Sequence, residues 1–398
     1  MKILMVLERE FPPDDRVEKE ALSLINSGFE VHVACYSKAR EFIKLETYKS
    51  IFIHRKYLPV IIYKLSAAIL ILPFYFWYWS VYLKRLNRIY NFDIVHVHDL
   101  PLAKLGYKFK KHKNVHFVAD QHEYYSNWII HTAHYNTFLG KIIKMLSPWS
   151  FYEKKYLKKA DMVITVEKPL MKTYIEEHRI SHEKIICLPN TPLKDNFNKE
   201  NISTDIIEKY NNKFVIIYVG GIDILRGIDL AISALPELKM KIPNVKLLLI
   251  GPCYGGYDPM NTARKFDVEE YVEIAGWKSI NLVPSYIAAS DIGIFTPQVN
   301  RDEINKTIAT KIYQYIAMGK PVIVSNADLM KRFVEENGVG FAVDDKNPQD
   351  FVSRVVGIFH NKVMKKQIQT KCLNTTKKYV WEETSKQMIK HYNALLKK

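Results

Sequence analysis

The segment Thr310 to Val324, TKIYQYIAMGKPVIV, carries side chains whose types and spacing suit a sugar-phosphate ligand. On a helix, Lys311, Gln314 and Tyr315 fall at i, i+3 and i+4 and therefore share one face. Gly319 and Pro321 predict that the helix ends just before them. The apolar residues Val322 to Val324 then predict a buried parallel strand. A cation and an amide between two strands can hold a phosphate and a sugar hydroxyl.

A glycine-rich turn provides a second set of candidate ligands. The sequence GGIDILRG follows the apolar run Phe214 to Val219 and leads into a predicted helix. Gly220 and Gly221 allow backbone N–H groups to approach a ligand, the helix start favours anions, and Arg226 can contact a phosphate bidentately. The turn is neither GxGxxG nor a Walker loop, so an ordinary strand-to-helix connection stays open. Together with Lys311 it supplies the two cations that a diphosphate needs.

Polar residues also follow predicted strands in the first half. Asp120-Gln121-His122-Glu123 comes after the run Val115 to Ala119. A histidine there can hydrogen-bond a sugar hydroxyl or transfer a proton, with a solvated loop histidine as the alternative. His96 and His98 flank Val97 at another strand end, but no third ligand stands at a recognisable spacing. We therefore predict no metal site, and expect both histidines to line the floor of a cleft.

The residues after the first predicted strand are candidates for the acceptor side. Phe11-Pro12-Pro13-Asp14-Asp15-Arg16 ends in two charged residues, either of which can face an acceptor. A helix N-cap aspartate is the plain alternative. We therefore predict Asp15, Arg16, His98 and Glu123 on the acceptor side.

The elements that must position these residues form two α/β domains. A chain of 398 residues exceeds the size at which one core keeps growing. Short apolar runs alternate with helical segments in both halves, which predicts parallel sheets covered on both faces, and the pattern weakens between them. We predict doubly wound domains at 1–192 and 213–380, a linker at 193–212, and a last helix, 381–398, that packs back on the first domain. Ligands of such sheets bind at the carboxyl ends of the strands, here in a cleft between the domains.

The cysteines and the first apolar run indicate the cellular compartment of the protein. The four cysteines lie far apart with no CxxC pair, which favours a reducing compartment and argues against a disulfide framework or a zinc site. The apolar run Met1 to Leu7 is too short for a signal peptide, so we expect a cytoplasmic amino terminus.

The net charge of +16 is concentrated near one apolar segment. From Lys38 to Lys113 there are 15 Lys and Arg against 4 Asp and Glu. Within this stretch, 60–83 carries one charge, Lys64, and is rich in aromatic rings. A basic and aromatic segment favours attachment to an anionic membrane surface; a buried core helix and a true span are the alternatives. The basic charge comes with no recognisable nucleic-acid-binding motif, so no nucleic-acid partner is predicted.

The ordered set of motifs resembles the retaining glycosyltransferases of family 4, which have the GT-B fold. In chain order, the matching segments are MKILMVLEREFPPD, GFEVHVACY, FDIVHVHDLP, DQHEYYSNW, KKADMVITVE, ICLPNTP, YVGGIDILRGIDLAISAL, LLLIGP, YVEIAGW, SYIAASDIGIFTP and TKIYQYIAMGKPVIVSN. The resemblance implies two Rossmann-like domains that face each other across a cleft. It also implies transfer of a sugar, with retention and without a metal or other cofactor, from a nucleotide sugar held by the second domain to an acceptor held by the first. Such enzymes often build polysaccharides, lipid-linked oligosaccharides or glycolipids at the inner face of the cell membrane.

Carried over to this sequence, the resemblance assigns the donor site. Gly220 and Gly221 lie against the diphosphate, Arg226 stands where many relatives have lysine, and Lys311 is the second phosphate cation. Trp277 falls in the loop whose backbone meets the base. The catalytic set is therefore expected to be Arg226 and Lys311 with a histidine of the first domain.

That histidine is His122, which matches the position that contacts the transferred sugar near the reacting carbon. Two departures weaken the match. Gly221 stands where many members have arginine, and Gln314 replaces the usual glutamate, whose partner glutamate falls on Lys306. Glu303 can compensate by contacting a donor hydroxyl, although a solvated loop residue is the alternative.

Two other functions stay open from the sequence. A nucleotide-sugar epimerase can share the fold and acts on the donor without an acceptor. A non-catalytic nucleotide-sugar-binding subunit is the other alternative, because Gln314 lacks the charge of the usual glutamate. The sugar, the base and the acceptor are not encoded in these motifs.

Overall fold

The computed structural model describes residues 1–113, 115–129, 138–197 and 202–396. The chain forms two compact units, Met1–Pro189 with Ser385–Lys398, and Asn190–Thr384. The predicted linker, 193–212, therefore falls within the second unit. The physical reason is a short helix, Thr204–Tyr210, whose Tyr210 is buried in the core of that unit.

Among the described residues, the first unit contains an eight-stranded sheet with the order β3-β4-β2-β1-β5-β6-β7-β8. Every pairing is parallel except that of β3 with β4. The strands are β1 Lys2–Val6, β2 Glu30–Ser37, β3 Leu45–Tyr48, β4 Ile51–Tyr57, β5 Ile94–His98, β6 His116–Gln121, β7 Met162–Thr165 and β8 Ile185–Cys187. The helices are α1 Asp15–Asn26, α2 Val60–Leu65, α3 Phe74–Tyr90, α4 Ala103–Lys113, α5 Tyr125–Trp128, α6 Phe138–Leu146, α7 Trp149–Leu157 and α8 Lys168–Glu176.

The described part of the second unit contains a six-stranded, all-parallel sheet with the order β11-β10-β9-β12-β13-β14. Its strands are β9 Phe214–Val219, β10 Val245–Ile250, β11 Val272–Gly276, β12 Ile292–Phe295, β13 Val322–Ser325 and β14 Gly340–Val343. Its helices are α9 Thr204–Tyr210, α10 Ile228–Lys241, α11 Pro259–Lys265, α12 Val283–Ala288, α13 Asp302–Asn305, α14 Thr310–Ala317, α15 Asp328–Asn337, α16 Pro348–His360 and α17 Lys362–Thr376. The last helix, α18 Trp381–Leu395, begins in this unit and ends in the first.

The two sheets confirm the predicted α/β class and locate the places where ligands bind. The central strand of the first sheet, β1, lies between β2 and β5, and the central strand of the second, β9, lies between β10 and β12. In both sheets the chain order reverses beside the central strand. Such switch points are where open parallel sheets bind ligands, at the carboxyl ends of the strands.

The aromatic segment of the first unit does not form one continuous helix. Pro73 precedes α3, which is separated from α2. One side of α3 packs in the core through Tyr75 and Trp79, while Trp77 is 67% exposed. In the described parts of the chain, no helix has both the length and the apolar character needed to span a membrane.

Candidate functional site

Lys311 occupies the switch point of the second sheet. It lies on α14, and its Nζ donates a hydrogen bond to Tyr218 Oη at 3.1 Å. The same ammonium lies 4.3 Å from the centre of the Tyr218 ring and 4.2 Å from that of Phe295, so cation–π attraction holds it between two strand ends. Burial, with a smaller contribution from Arg226, lowers the pKa of Lys311 to about 7. An ammonium that has lost so much hydration gains strongly from an anion.

The glycine turn after β9 lies against this lysine. Gly220 has φ +128°, and a β carbon on it would be 3.0 Å from Lys311 Nζ. The positive φ favours glycine at this position, and any side chain on residue 220 would press against the ammonium. The predicted grouping of this turn with Lys311 is thus found in the structure.

Arg226 ends a single 3₁₀ turn, Ile224–Arg226, directly before α10. Its Nε donates to Asp223 Oδ2 at 3.0 Å, and its side chain is 43% exposed. Asp223 also accepts from Leu225 N, which fixes the turn. The next residue, Gly227, has φ +70°, and a β carbon there would meet the Thr296 carbonyl at 1.6 Å. The amino-terminal end of α10 therefore packs in close contact with the residue that follows β12.

Tyr315 is predicted above to contact the donor, and the structure corrects this prediction because the side chain is not accessible to a ligand. Its ring is fully buried below α14, beside Gly293. Its hydroxyl accepts from Val219 N at 2.9 Å and donates to the Ile294 carbonyl at 3.3 Å. Lys311 and Tyr315 do share a helix face, but that face points at the sheet. Tyr315 therefore fixes the end of β9, next to the glycine turn.

The remaining predicted donor residues lie on α14, in the loop after β11 and on the short helix α13. Gln314 is half-buried on α14. Trp277 follows the end of β11 and is 71% exposed. Glu303 accepts from Arg301 Nε at 2.7 Å, and Lys306 donates to Asp302 at 2.6 Å, so both charges are paired within their own segment. The role of these residues toward a donor stays a prediction.

Tyr254 is a residue of this site that sequence reasoning missed. Its backbone N–H donates to the Ile222 carbonyl at 2.8 Å, which joins the loop after β10 to the glycine turn. A β carbon on Gly221 would lie 2.9 Å from the Tyr254 ring. A side chain at 221, such as the arginine that the resemblance implies for many members, would require this exposed ring to move. Tyr218 and Phe295, which hold Lys311, were also missed, although both lie at the ends of predicted strands.

In the first unit, Asp120 is the centre of a buried polar network. The structure extends β6 through Gln121, so Asp120 lies inside the strand and not after it, paired with His98 on β5. Its carboxylate contacts Arg16 Nη2 at 3.1 Å, His98 Nδ1 at 3.2 Å and His122 Nε2 at 2.8 Å. Burial raises the pKa of Asp120, but Arg16 and His122 outweigh burial and hold it well below its usual value.

His122 lies at the carboxyl end of β6, and its side chain is 15% exposed. Burial lowers the pKa of His122, but Asp120 and Asp99 outweigh burial and raise it to about 9. Asp99 directly follows β5 and also contacts Arg9 Nη2 at 3.1 Å. Sequence reasoning missed Asp99 and Arg9, although both follow strands that meet at the switch point.

Arg16 is not positioned as predicted for an acceptor, because it is 5% exposed. Its guanidinium lies 3.0 Å from Glu20 Oε1, contacts Asp120 and donates to the Leu188 carbonyl at 3.0 Å. Arg16 therefore serves as a buried counter-charge within the first unit. His98 is buried as well, and burial lowers its pKa to about 4, so it is a neutral member of the same network.

The other two acceptor-side candidates lie at the surface. Asp15 is in the first turn of α1, where its carboxylate pairs with Lys19 Nζ at 2.8 Å. The N-cap that the sequence left open is Asp14, which accepts from Val17 N at 3.1 Å. Glu123 is exposed next to His122. Their contact with an acceptor stays a prediction.

Four buried side chains of this network have the types that ligate metals. One atom each of Glu20, His96, His98 and Asp120 lies within 4.8 Å of the others. Arg16 contacts both carboxylates. Burial and the neighbouring Asp120 raise the pKa of Glu20 to about 8, so the ionised group of the set is Asp120, whose charge faces Arg16 and His122.

Two family profiles match the chain. The profile described as Glycosyl transferases group 1 matches residues 199–375, and the profile described as Glycosyltransferase Family 4 matches residues 17–191. Spore coat protein SA of Bacillus subtilis (strain 168) is 23% identical over 155 residues, which are 36% of this chain and 39% of that protein. The match thus spans well under two thirds of this relative's length.

Solved structures resemble the whole chain. Sucrose-phosphate synthase of Thermosynechococcus elongatus has a TM-score of 0.76 at 16% identity, over 100% of this chain and 99% of that one. Anabaena HepE in complex with UDP has a TM-score of 0.72 at 14% identity, over 99% of this chain and 100% of that one. At these identities the likeness shows a shared fold.

Proposed function

Because the chain belongs to the group 1 glycosyltransferases and has their GT-B fold, we propose that it transfers a sugar from a nucleotide sugar to a glycan or lipid-linked acceptor, with retention at the anomeric carbon. One observation carries the donor assignment. The desolvated ammonium of Lys311 lies against the bare backbone of Gly220 at the switch point, with Arg226 in the same turn. The related fold of HepE is known in complex with UDP, which supports a nucleoside diphosphate as the leaving group.

The proposed mechanism rests on electrostatic stabilisation of that leaving group. As the bond to the anomeric carbon breaks, negative charge grows on the diphosphate, and Lys311 and Arg226 stabilise it. Retention follows when the acceptor attacks the face from which the diphosphate departs, and a diphosphate oxygen takes the acceptor's proton. The cations that neutralise the phosphates are thus supplied by the protein, and we propose that the reaction needs no metal or other cofactor.

We further propose that the enzyme works at the inner face of the cell membrane, in the synthesis of a polysaccharide, lipid-linked oligosaccharide or glycolipid. The outward side of α3 supports this, since Phe74 and Trp77 are exposed and Lys84 and Arg85 follow on the same helix. Exposed rings next to cations suit an anionic headgroup layer. Nucleic acid is not among the proposed partners.

Incubation with a panel of nucleotide sugars tests this function. We expect nucleotide release from one donor, and we expect it to increase when a membrane lipid extract or a glycan acceptor is present. Comparing anionic with neutral vesicles as the carrier of the lipid acceptor tests the membrane setting in the same assay. Conversion of the donor sugar without an acceptor would identify an epimerase, and binding without turnover would identify a binding subunit.

Gln314→Glu is expected to strengthen donor binding. A carboxylate at position 314 of α14 can accept charge-assisted hydrogen bonds from ribose hydroxyls, which together are worth about 1 to 2 kcal/mol more than the amide can supply. We therefore expect the donor Kd to fall by about 5- to 30-fold. This change in Kd is measured by calorimetric titration with the nucleotide sugar and with its nucleoside diphosphate. An unchanged Kd for both ligands would mean that the ribose is held elsewhere.

A further inference from the structure

Asp99 has an unusual backbone conformation at the switch point of the first sheet. It has φ +61°, although it is not a glycine, and its N–H donates to the Asp120 carbonyl at 2.8 Å. Left-handed residues other than glycine carry a conformational cost and concentrate at functional sites. This conformation directs the Asp99 carboxylate toward Arg9 and His122.

Both ring nitrogens of His122 face carboxylates. Nε2 lies 2.8 Å from Asp120 Oδ2, which is a hydrogen bond, and Nδ1 lies 3.6 Å from Asp99 Oδ1, which is an ion-pair distance. A neutral imidazole that donates its Nε2–H to Asp120 would turn the lone pair of Nδ1 toward the Asp99 carboxylate, and these two electron-rich groups repel each other. The geometry with two facing carboxylates is satisfied by the imidazolium cation.

We propose that Asp99 and Asp120 clamp His122 as an imidazolium whose Nε2–H is held by Asp120 and whose Nδ1–H is donated to an oxygen of the reactants. The clamp makes Asp99 a positioning residue. It also gives His122 the role of a cationic hydrogen-bond donor, which excludes its use as a general base. The clamp itself stands on the geometry of the first unit, while the use of the donor rests on the proposed function.

The surrounding charges are consistent with this state. Asp120 is already satisfied by Arg16, and His98 Nδ1 approaches His122 Nε2 at 3.4 Å as a neutral ring. The titratable and charged groups around the clamp are Arg9 after β1, Asp99, His96 and His98 on or after β5, Asp120 on β6, Arg16 and Glu20 on α1, and Tyr392 on α18. Among them, Arg9 acts on His122 through Asp99. Its removal therefore has the opposite sign to the removal of Asp99.

Titration of the His122 ring in the substrate-free protein tests the clamp. The full-length chain is labelled with ¹³C at histidine, and the His122 signal is assigned by its loss in His122→Asn. We expect a midpoint at about pH 9 in the wild type. Asp99→Asn should lower that midpoint by about one unit, and Arg9→Gln should raise it by a smaller amount, because Asp99 is then freed from its partner.

Glu46→Gln is the matched control, since it removes a surface carboxylate of the same unit that pairs with Arg55. It should leave the midpoint unchanged. A wild-type midpoint near the ordinary value of about 6.5, or no shift in Asp99→Asn, would overturn the proposal. If the transferase assignment fails instead, the titration is unaffected, because it needs no substrate. If transfer is observed, its alkaline limb should move down in Asp99→Asn together with the midpoint.

Discussion

Lys311→Met is expected to weaken the binding of a nucleoside diphosphate by about 100-fold. The change removes a cation that binds phosphate oxygens through charge-assisted hydrogen bonds, which are worth about 1.5 to 3 kcal/mol to a charged partner. The apolar part of methionine keeps the contact with Tyr218 and Phe295. Folding should therefore be preserved, and calorimetric titration with UDP and with other nucleoside diphosphates isolates the loss of the charge.

The pH dependence of binding separates Lys311 from the other cations of the site. In the free protein its pKa is lowered to about 7 by burial, so the ammonium begins to lose its proton near neutral pH. A bound diphosphate stabilises the charged form and raises that pKa. The affinity that Lys311 contributes is thus fully present below pH 7 and falls by about tenfold per unit above it, until the pKa of the complex is reached.

Two comparisons make this prediction specific. Lys331→Met, at an exposed position of α15, should bind like the wild type at every pH. Lys311→Met should bind weakly with no decline centred on pH 7. A wild-type affinity that is constant between pH 6 and about pH 9 would contradict a diphosphate contact by Lys311.

The donor side was predictable because its signals are local. The helix at 310–317 is periodic and ends at Met318, before a glycine with φ +67°. The glycine turn follows a strand made almost wholly of buried apolar residues. Since carboxyl ends of parallel strands meet at one edge, the grouping of Lys311 with Gly220 follows from the pattern.

The orientation of Tyr315 was not predictable from the same helix. Spacing at i and i+4 places it with Lys311 but does not say whether that face points at a ligand or at the sheet. The deciding feature is Gly293 on β12, which leaves room for the ring beside the sheet. That contact joins residues of different elements and has no signature in either segment alone.

The contacts of the Asp120 network could not be predicted from the sequence, because they join residues that are far apart in the chain. Arg16 and Asp120 are 104 positions apart, and both read as surface residues in their own sequence context. Their burial follows from the docking of α1 on the sheet, where the Asp120 charge is compensated by Arg16 together with His122. Charged residues at strand ends and helix starts therefore predict a site, but not whether a given charge faces a ligand or a counter-charge.

Arg16→Met is expected to destabilise the first unit by about 3 to 5 kcal/mol, because it removes the guanidinium from the buried Asp120 carboxylate and leaves that charge with His122 beside it. The loss is a large part of the stability of a domain. Urea unfolding followed by circular dichroism measures it, with Lys49→Met as the control for a surface ion pair, which should cost less than about 1 kcal/mol. Asp120→Asn combined with Arg16→Met should be less destabilised than the sum of the single changes, since the charge that Arg16 neutralises is then gone. If Arg16→Met matches Lys49→Met, the guanidinium is not the main counter-charge of the network, and His122 is the cation that stabilises the Asp120 carboxylate.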